Sequence, residues 1–194
     1  MPTTIVLVRH GETDWNRESR FQGHAETRLN DTGRAQARAL ARELEPDAFA
    51  AIYSSPLLRA HETALILTER CDLTVERTDA LMEVDVGSWS GLTRTDVEAR
   101  FPDGYRRWLE YGHGWDDGES YEELGGRVVS GLLRIAEAHP QEAVLAVTHG
   151  GPIRSALAAA DGVPFGDARR SIHVVDNCAI VRLVVRHGEF ERVD

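Results

Sequence analysis

Cysteine is scarce. Cys71 and Cys178 are the only two in 194 residues, and they sit far apart without metal or redox spacing. A reducing cytoplasm is the simplest compartment for such a chain. Long apolar runs are missing too. None approaches the ~20 residues that a membrane span needs, so no membrane partner is expected. The start, MPTTIVLVRHGET, has neither a basic n-region nor a small-residue cleavage site, and no signal peptide is read. Positive charge is outweighed: 22 Lys and Arg stand against 32 Asp and Glu, for a net charge of −10. No basic stripe follows from that balance, so no nucleic-acid partner is expected. HxxxH and HxH pairs are absent, and no metal or cofactor is expected. Internal repeats and low-complexity segments are absent as well. A molecule this acidic repels anions. An anionic substrate needs a few arginines that overcome the field locally, so arginines beside histidines draw attention.

What is present is 42% apolar residue content, enough for a sizeable core, in a length that suits one domain over residues 1–194. TIVLVR (4–9), AIYS (51–54) and AVLAVT (143–148) read as short buried strands, and residues 73–76 as a shorter one. Asn30-Asp31 caps a helix running to about Leu44, with Ala37, Leu40, Ala41 and Leu44 on one stripe. Pro56 suits the first turn of the next helix, striped by Leu57, Ala60, Ala64 and Leu67. Ser120-Tyr121-Glu122-Glu123 is a capping box, opening a helix that ends near Pro140. Gly150-Gly151-Pro152 opens another, to about Ala160. Residues 179–185 form a last strand, with 190–193 pairing back on it. A helix is predicted over about 93–100. The rest of 84–118 is too long for a plain connection and reads as a lid or insert. Buried strands alternating with amphipathic helices predict an α/β fold, a sandwich on a mostly parallel sheet.

The tetrapeptide RHGE occurs twice, at 9–12 and 186–189. The first copy lies just past a buried strand, where ligands bind in open α/β sheets. His149 and Gly150 lie in the equivalent place after residues 143–148. The helix starting near Gly151 should aim free backbone N–H groups at the same crevice. The second copy sits between two short strand-like runs, where its glycine fits a hairpin turn. The chemistry is therefore assigned to Arg9 and His10, with Arg186 and His187 on the surface.

RHGETDWN (9–16), FQG (21–23), SSPLLRAHETA (54–64), EVDVGSWSGLT (83–93), DGES (117–120), VTHGGPIR (147–154) and NC (177–178) occur in that order. The set resembles the histidine phosphatase superfamily, the phosphoglycerate-mutase-like enzymes, over about the whole chain. The resemblance implies their three-layer α/β/α sandwich and a phosphatase acting on small-molecule phosphate monoesters through a phosphohistidine on His10, without a metal. Neutral imidazole approaches a phosphate dianion without adding charge. Arg9, Arg59 and His149 would hold the phosphoryl oxygens, the arginines by their rigid forks. Asn16 and the backbone around Gln22, Gly23 and Gly150 would add donors. Glu83 would protonate the leaving alcohol and then activate water. The substrate partner implied is a small phosphate ester.

The alternative is a cofactor-dependent phosphoglycerate mutase. Such enzymes place a basic and an aromatic residue just beyond the acid, where this chain has Val84, Asp85 and Val86. Arg106-Arg107, able to bind a substrate carboxylate, supports the mutase. A second alternative is a non-catalytic phospho-ligand binding module, which ordinarily loses His10 or Glu83. The tryptophans are expected to be packing, and His24, His61, His113, His139 and His173 to face solvent or form ordinary hydrogen bonds.

Overall fold

A computed structural model of the chain describes residues 1–45 and 48–193. Its first strand, β1 (Thr3–Arg9), explains the layering. Ile5 and Leu7 pack into one apolar cluster, Val6 and Val8 into another, and all four are buried. Alternate residues of a strand face opposite sides, so β1 must have cover on both.

The strands β2 (Ala51–Ser54), β3 (Val75–Arg77), β4 (Ala143–Thr148), β5 (Ile180–Arg186) and β6 (Glu189–Val193) join β1 in one sheet of order β3-β2-β4-β1-β5-β6. The pairs β3–β2, β2–β4 and β4–β1 are parallel; β1–β5 and β5–β6 are antiparallel. Helices α2 (Asp31–Glu43) and α3 (Leu58–Leu67) cover the face of Val6 and Val8. Helices α6 (Tyr121–Ala138) and α7 (Gly150–Asp161) cover the face of Ile5 and Leu7. A fully buried Val or Leu side chain contributes roughly 1.5–3 kcal/mol. Two such faces hold the central strands β4 and β1 rigid.

The caps behave as their chemistry requires. Asn30 accepts from the Gly33 N–H, and Ser120 forms a reciprocal capping box with Glu123. Other details differ from the sequence-based expectations. Leu57, not Pro56, caps α3, and Pro56 lies before the helix because Leu57 still has an extended backbone. The edge strand β3 is shifted to 75–77. The stretch 84–118 holds a 3₁₀ turn at Gly87–Trp89, then α4 (Arg94–Arg100) and α5 (Pro102–Tyr111). The short α1 (Asp14–Arg17) and α8 (Phe165–Ser171) complete the helices. Among the described residues no helix is long and apolar enough to cross a membrane.

The second RHGE copy is the β5–β6 turn. Arg186 pairs with Glu189, and His187 and Gly188 between them both have positive φ, 52° and 82°. Two residues in that region make the hairpin turn whose twist matches the strands.

Candidate active site

Three neighbouring strands end at one place. Arg9 of β1 pairs with Thr148 of β4, so His10 and His149 leave the sheet side by side. The His10 N–H donates to the Thr148 carbonyl, and the Ser55 N–H to the Val147 carbonyl, which brings the end of β2 alongside. The two imidazoles meet edge to face, centroids 5.1 Å apart, and both are buried. The NC pair at 177–178 clamps this corner. Asn177 donates to the His10 carbonyl at 2.8 Å, and the Cys178 N–H to the Arg9 carbonyl.

His10 Nδ1 lies 2.7 Å from the Gly11 carbonyl. A carbonyl only accepts, so Nδ1 carries the proton and Nε2 keeps its lone pair. Burial, and then the charges of Arg59 and Arg9, push the His10 imidazole well below its ordinary range. His149 is lowered well below its ordinary range by the same burial and the same arginines, with His10 as a further cause. Both rings are therefore neutral at neutral pH.

Around them, buried side-chain nitrogens lack partners. Among the described residues these are Arg9 Nε, Arg59 Nε, His149 Nδ1 and, elsewhere, His113 Nε2. His149 Nε2 is 2.8 Å from the Ser55 hydroxyl. Arg59 does not present an open fork. Its Nη1 donates to Ala25 and Thr27 and its Nη2 to the Gly23 carbonyl, because the 23–27 loop wraps over it. Burial lowers Arg59 to about 10, so it remains cationic. Arg9 gives Nη1 to the Val175 carbonyl.

Glu83 sits at the start of α7. Its carboxylate accepts from the Gly151 N–H at 3.1 Å and from its neighbour Val84 at 2.9 Å. The Gly151 N–H, expected to face the crevice freely, is thus already taken by the Glu83 side chain. A Cβ on Gly151 would meet Glu83 Oε1 at 2.1 Å, so this approach requires glycine. Asn16 and Gln22 present their amide oxygens to the Thr13 hydroxyl, 3.1 Å from each.

A cavity of about 520 Å³ gathers Arg9, His10, Asn16, Gln22, Gly23, Arg59, Glu83 and Gly150; His149 is not on its wall but meets the His10 ring edge to face. Arg106 and Arg107 are not on that wall. Arg106 pairs with Asp103 and Arg107 with Asp116, on the outer side of α5. Arg20, Arg94, Arg154, Arg169 and Arg170 line the outer cavity instead. Trp89, Trp108 and Trp115 are buried in the core, as packing residues are, although Trp108, Trp115 and the half-buried Trp15 also border the cavity. His24 Nε2 lies 2.8 Å from the Glu83 carbonyl, which ties it to the site.

Two supporting residues escaped the sequence reading. Ser55 had a signal in the SSP run, beside the expected arginine. Arg127 had none. Its guanidinium forks the Glu119 carboxylate at 2.8 and 2.7 Å and donates to the carbonyls of Asp79, Ala80 and Met82. It fastens the loop that carries Glu83 to α6.

Paired buried imidazoles, converging unpaired donors and a carboxylate at a helix N-terminus define an enzyme of phosphate-ester chemistry, a phosphoric monoester hydrolase, as its relatives' names bear out. A family description, the histidine phosphatase superfamily (branch 1), matches residues 5–194, and the chain belongs to that superfamily. It is 37% identical over 161 residues to phosphoserine phosphatase 1 of Hydrogenobacter thermophilus, covering 82% of this chain and 76% of that protein. The structure of Bacillus stearothermophilus YhfR superposes with a TM-score of 0.91 at 30% identity, covering 98% of this chain and 95% of that one. A mycobacterial glucosyl-3-phosphoglycerate phosphatase solved with VO3 gives 0.87 at 31% identity, covering 98% and 96%.

Proposed function

We propose that this chain hydrolyses small phosphate monoesters through a phosphohistidine on His10. The observation that carries the reading is the set of orphaned donors beside His10: Arg9 Nε, Arg59 Nε and His149 Nδ1. Buried donors without acceptors are rare and costly. Phosphoryl oxygens would satisfy all three at once.

His10 Nε2 attacks phosphorus, the N–P bond forms, and the P–O bond to the alcohol breaks. Charge spreads over the equatorial oxygens, held by Arg9, Arg59 and His149. The Ser55 hydroxyl donates to His149 Nε2, which leaves the proton on Nδ1 for a phosphoryl oxygen. Asn16, Gln22, Gly23 and Gly150 complete the cradle. Glu83, entering in its protonated form, gives that proton to the departing alkoxide. It then takes a proton from water as that water attacks the phosphohistidine, and inorganic phosphate leaves.

The test is phosphate release from a chromogenic aryl phosphate, with a rapid acid-labile, base-stable phosphoprotein trapped in the wild type and absent in His10→Ala. Vanadate should inhibit, as an oxyanion filling the same donors, and EDTA should not. Interconversion of phosphoglycerates without net phosphate release would replace the hydrolase by a mutase.

A further inference from the structure

We infer that Gln36 is a positioning residue for His10, acting through the Glu12 N–H and the Gly11 carbonyl, the two ends of one peptide unit. The inference rests on the phosphatase reading and adds the group that aims the nucleophile.

The first support is geometry. The Gly11 carbonyl lies 2.7 Å from His10 Nδ1, and the N–H of the same peptide donates to Gln36 Oε1 at 2.9 Å. The N–H and C=O of a trans peptide point in opposite directions. Gripping the N–H from α2 therefore turns the carbonyl toward the ring. The Glu12 N–H can only donate, so Gln36 presents its amide oxygen. Gln36 stands one turn beyond Gly33 on α2, and Gly33 lets that helix come close: a Cβ there would collide with the Glu12 carbonyl oxygen. The groups on either side are held as well. The Gly11 N–H donates to the buried Thr63 hydroxyl at 3.1 Å, and the Asn30 N–H to the Glu12 carbonyl at 3.0 Å. Asn30 Nδ2 donates to Glu12 Oε1 at 2.8 Å. The peptide that orients His10 is thus fixed from both sides of the chain.

The second support is charge. As His10 Nε2 bonds to phosphorus, the neutral ring becomes a cation and keeps its proton on Nδ1. When water breaks the N–P bond, the ring returns to neutral with the same proton. Burial, Arg59 and Arg9 all oppose positive charge on this ring, and the Gly11 carbonyl favours it. The Nδ1–H···O=C bond therefore strengthens in the transition state, where added stabilisation accelerates the step. An amide whose N–H is itself engaged carries a more polarised carbonyl. Gln36 supplies that engagement without touching substrate, since it is not on the cavity wall.

The test replaces Gln36 by Met in the full chain, which keeps the length and the helix preference but removes the acceptor. We expect kcat/KM for a chromogenic aryl phosphate to fall about tenfold or more, the scale of losing the partner that orients a functional histidine. The inhibition constant of inorganic phosphate reads the donor cradle without an N–P bond, and it should stay within about twofold. Ring-nitrogen NMR, with His10 assigned by its loss in His10→Asn, should show the Nδ1–H tautomer in the wild type and a mixture in Gln36→Met. Gln36→Glu retains an acceptor and should recover most of the rate. If Gln36→Met fails to fold, Gln36→Asn withdraws the amide by one methylene and should give the same signature. An unchanged kcat/KM, a phosphate inhibition constant that rises in step with the lost rate, or an unaltered tautomer overturns the role of Gln36 and leaves the phosphatase standing. No phosphate release by the wild type from any ester overturns both.

Discussion

The two RHGE copies carry the same side chains and share almost nothing else. In the first, His10 is 3% exposed and its ring is oriented by the Gly11 carbonyl. In the second, Arg186 is half exposed and 3.8 Å from Glu191, and His187 is a turn residue with positive φ. Even the glycines serve different ends. A Cβ on Gly11 would meet the Gly33 carbonyl oxygen at 2.5 Å, whereas Gly188 has open space around it and φ of +82°. The first is glycine for close approach, the second for backbone conformation. Position relative to a covered sheet, not the tetrapeptide, creates the buried, oriented imidazole.

The sharpest way to break this contrast is to remove each histidine. His10→Ala should lower turnover of an aryl phosphate by at least about 10³-fold, the scale of losing a nucleophile. His187→Ala should stay within twofold in the same assay. Similar losses in both variants would mean that the hairpin reaches the chemistry. A smaller effect follows for the arginines. Arg9→Gln should lower kcat/KM by about 10²-fold, the scale of one lost transition-state donor, and Arg186→Gln should change it little.

Stability separates the glycines. Gly11→Ala forces a shift against fixed backbone and should cost about 3 kcal/mol in urea unfolding, at the upper end for overpacking. Gly188→Ala strains only a surface turn and should cost about 1 kcal/mol. Reversed costs would contradict the packing described. A pH slope tests the imidazole itself. Burial and two arginines hold folded His10 well below its ordinary value, while in the unfolded chain it titrates near 6.5. Below that pH the unfolded state binds the extra proton, so stability falls as pH falls, by up to about 1.4 kcal/mol per unit for one imidazole. His10→Asn should flatten the slope by about one proton between pH 7 and 5. An unchanged slope would mean that His10 is not neutral in the folded protein.

Legibility followed locality. The strand TIVLVR, the Asn30 cap, the Ser120 box and the hairpin at His187-Gly188 are decided within a few residues, and all were readable. Helix α5 went unassigned although Pro102 opens it and Gly112 closes it in a left-handed conformation. Its buried residues, Gly104 and Trp108, are only part of a helical face, and their cover comes from α8 and from Trp89. Arg106 and Arg107 drew attention as a pair in sequence, yet α5 turns them outward onto Asp103 and Asp116.

By itself, then, the order of residues determined the buried strands, the capped helices and which histidine follows which strand, since short-range sterics and apolar periodicity suffice for these. Only the tertiary structure decided that Arg94, Arg154 and Arg169 share one wall, that Arg127 fastens the Glu83 loop, and that Ser55 meets His149. Those groups are separated by tens of residues along the chain. Their meeting depends on how the layers close over the strand ends, and no local pattern encodes that distance.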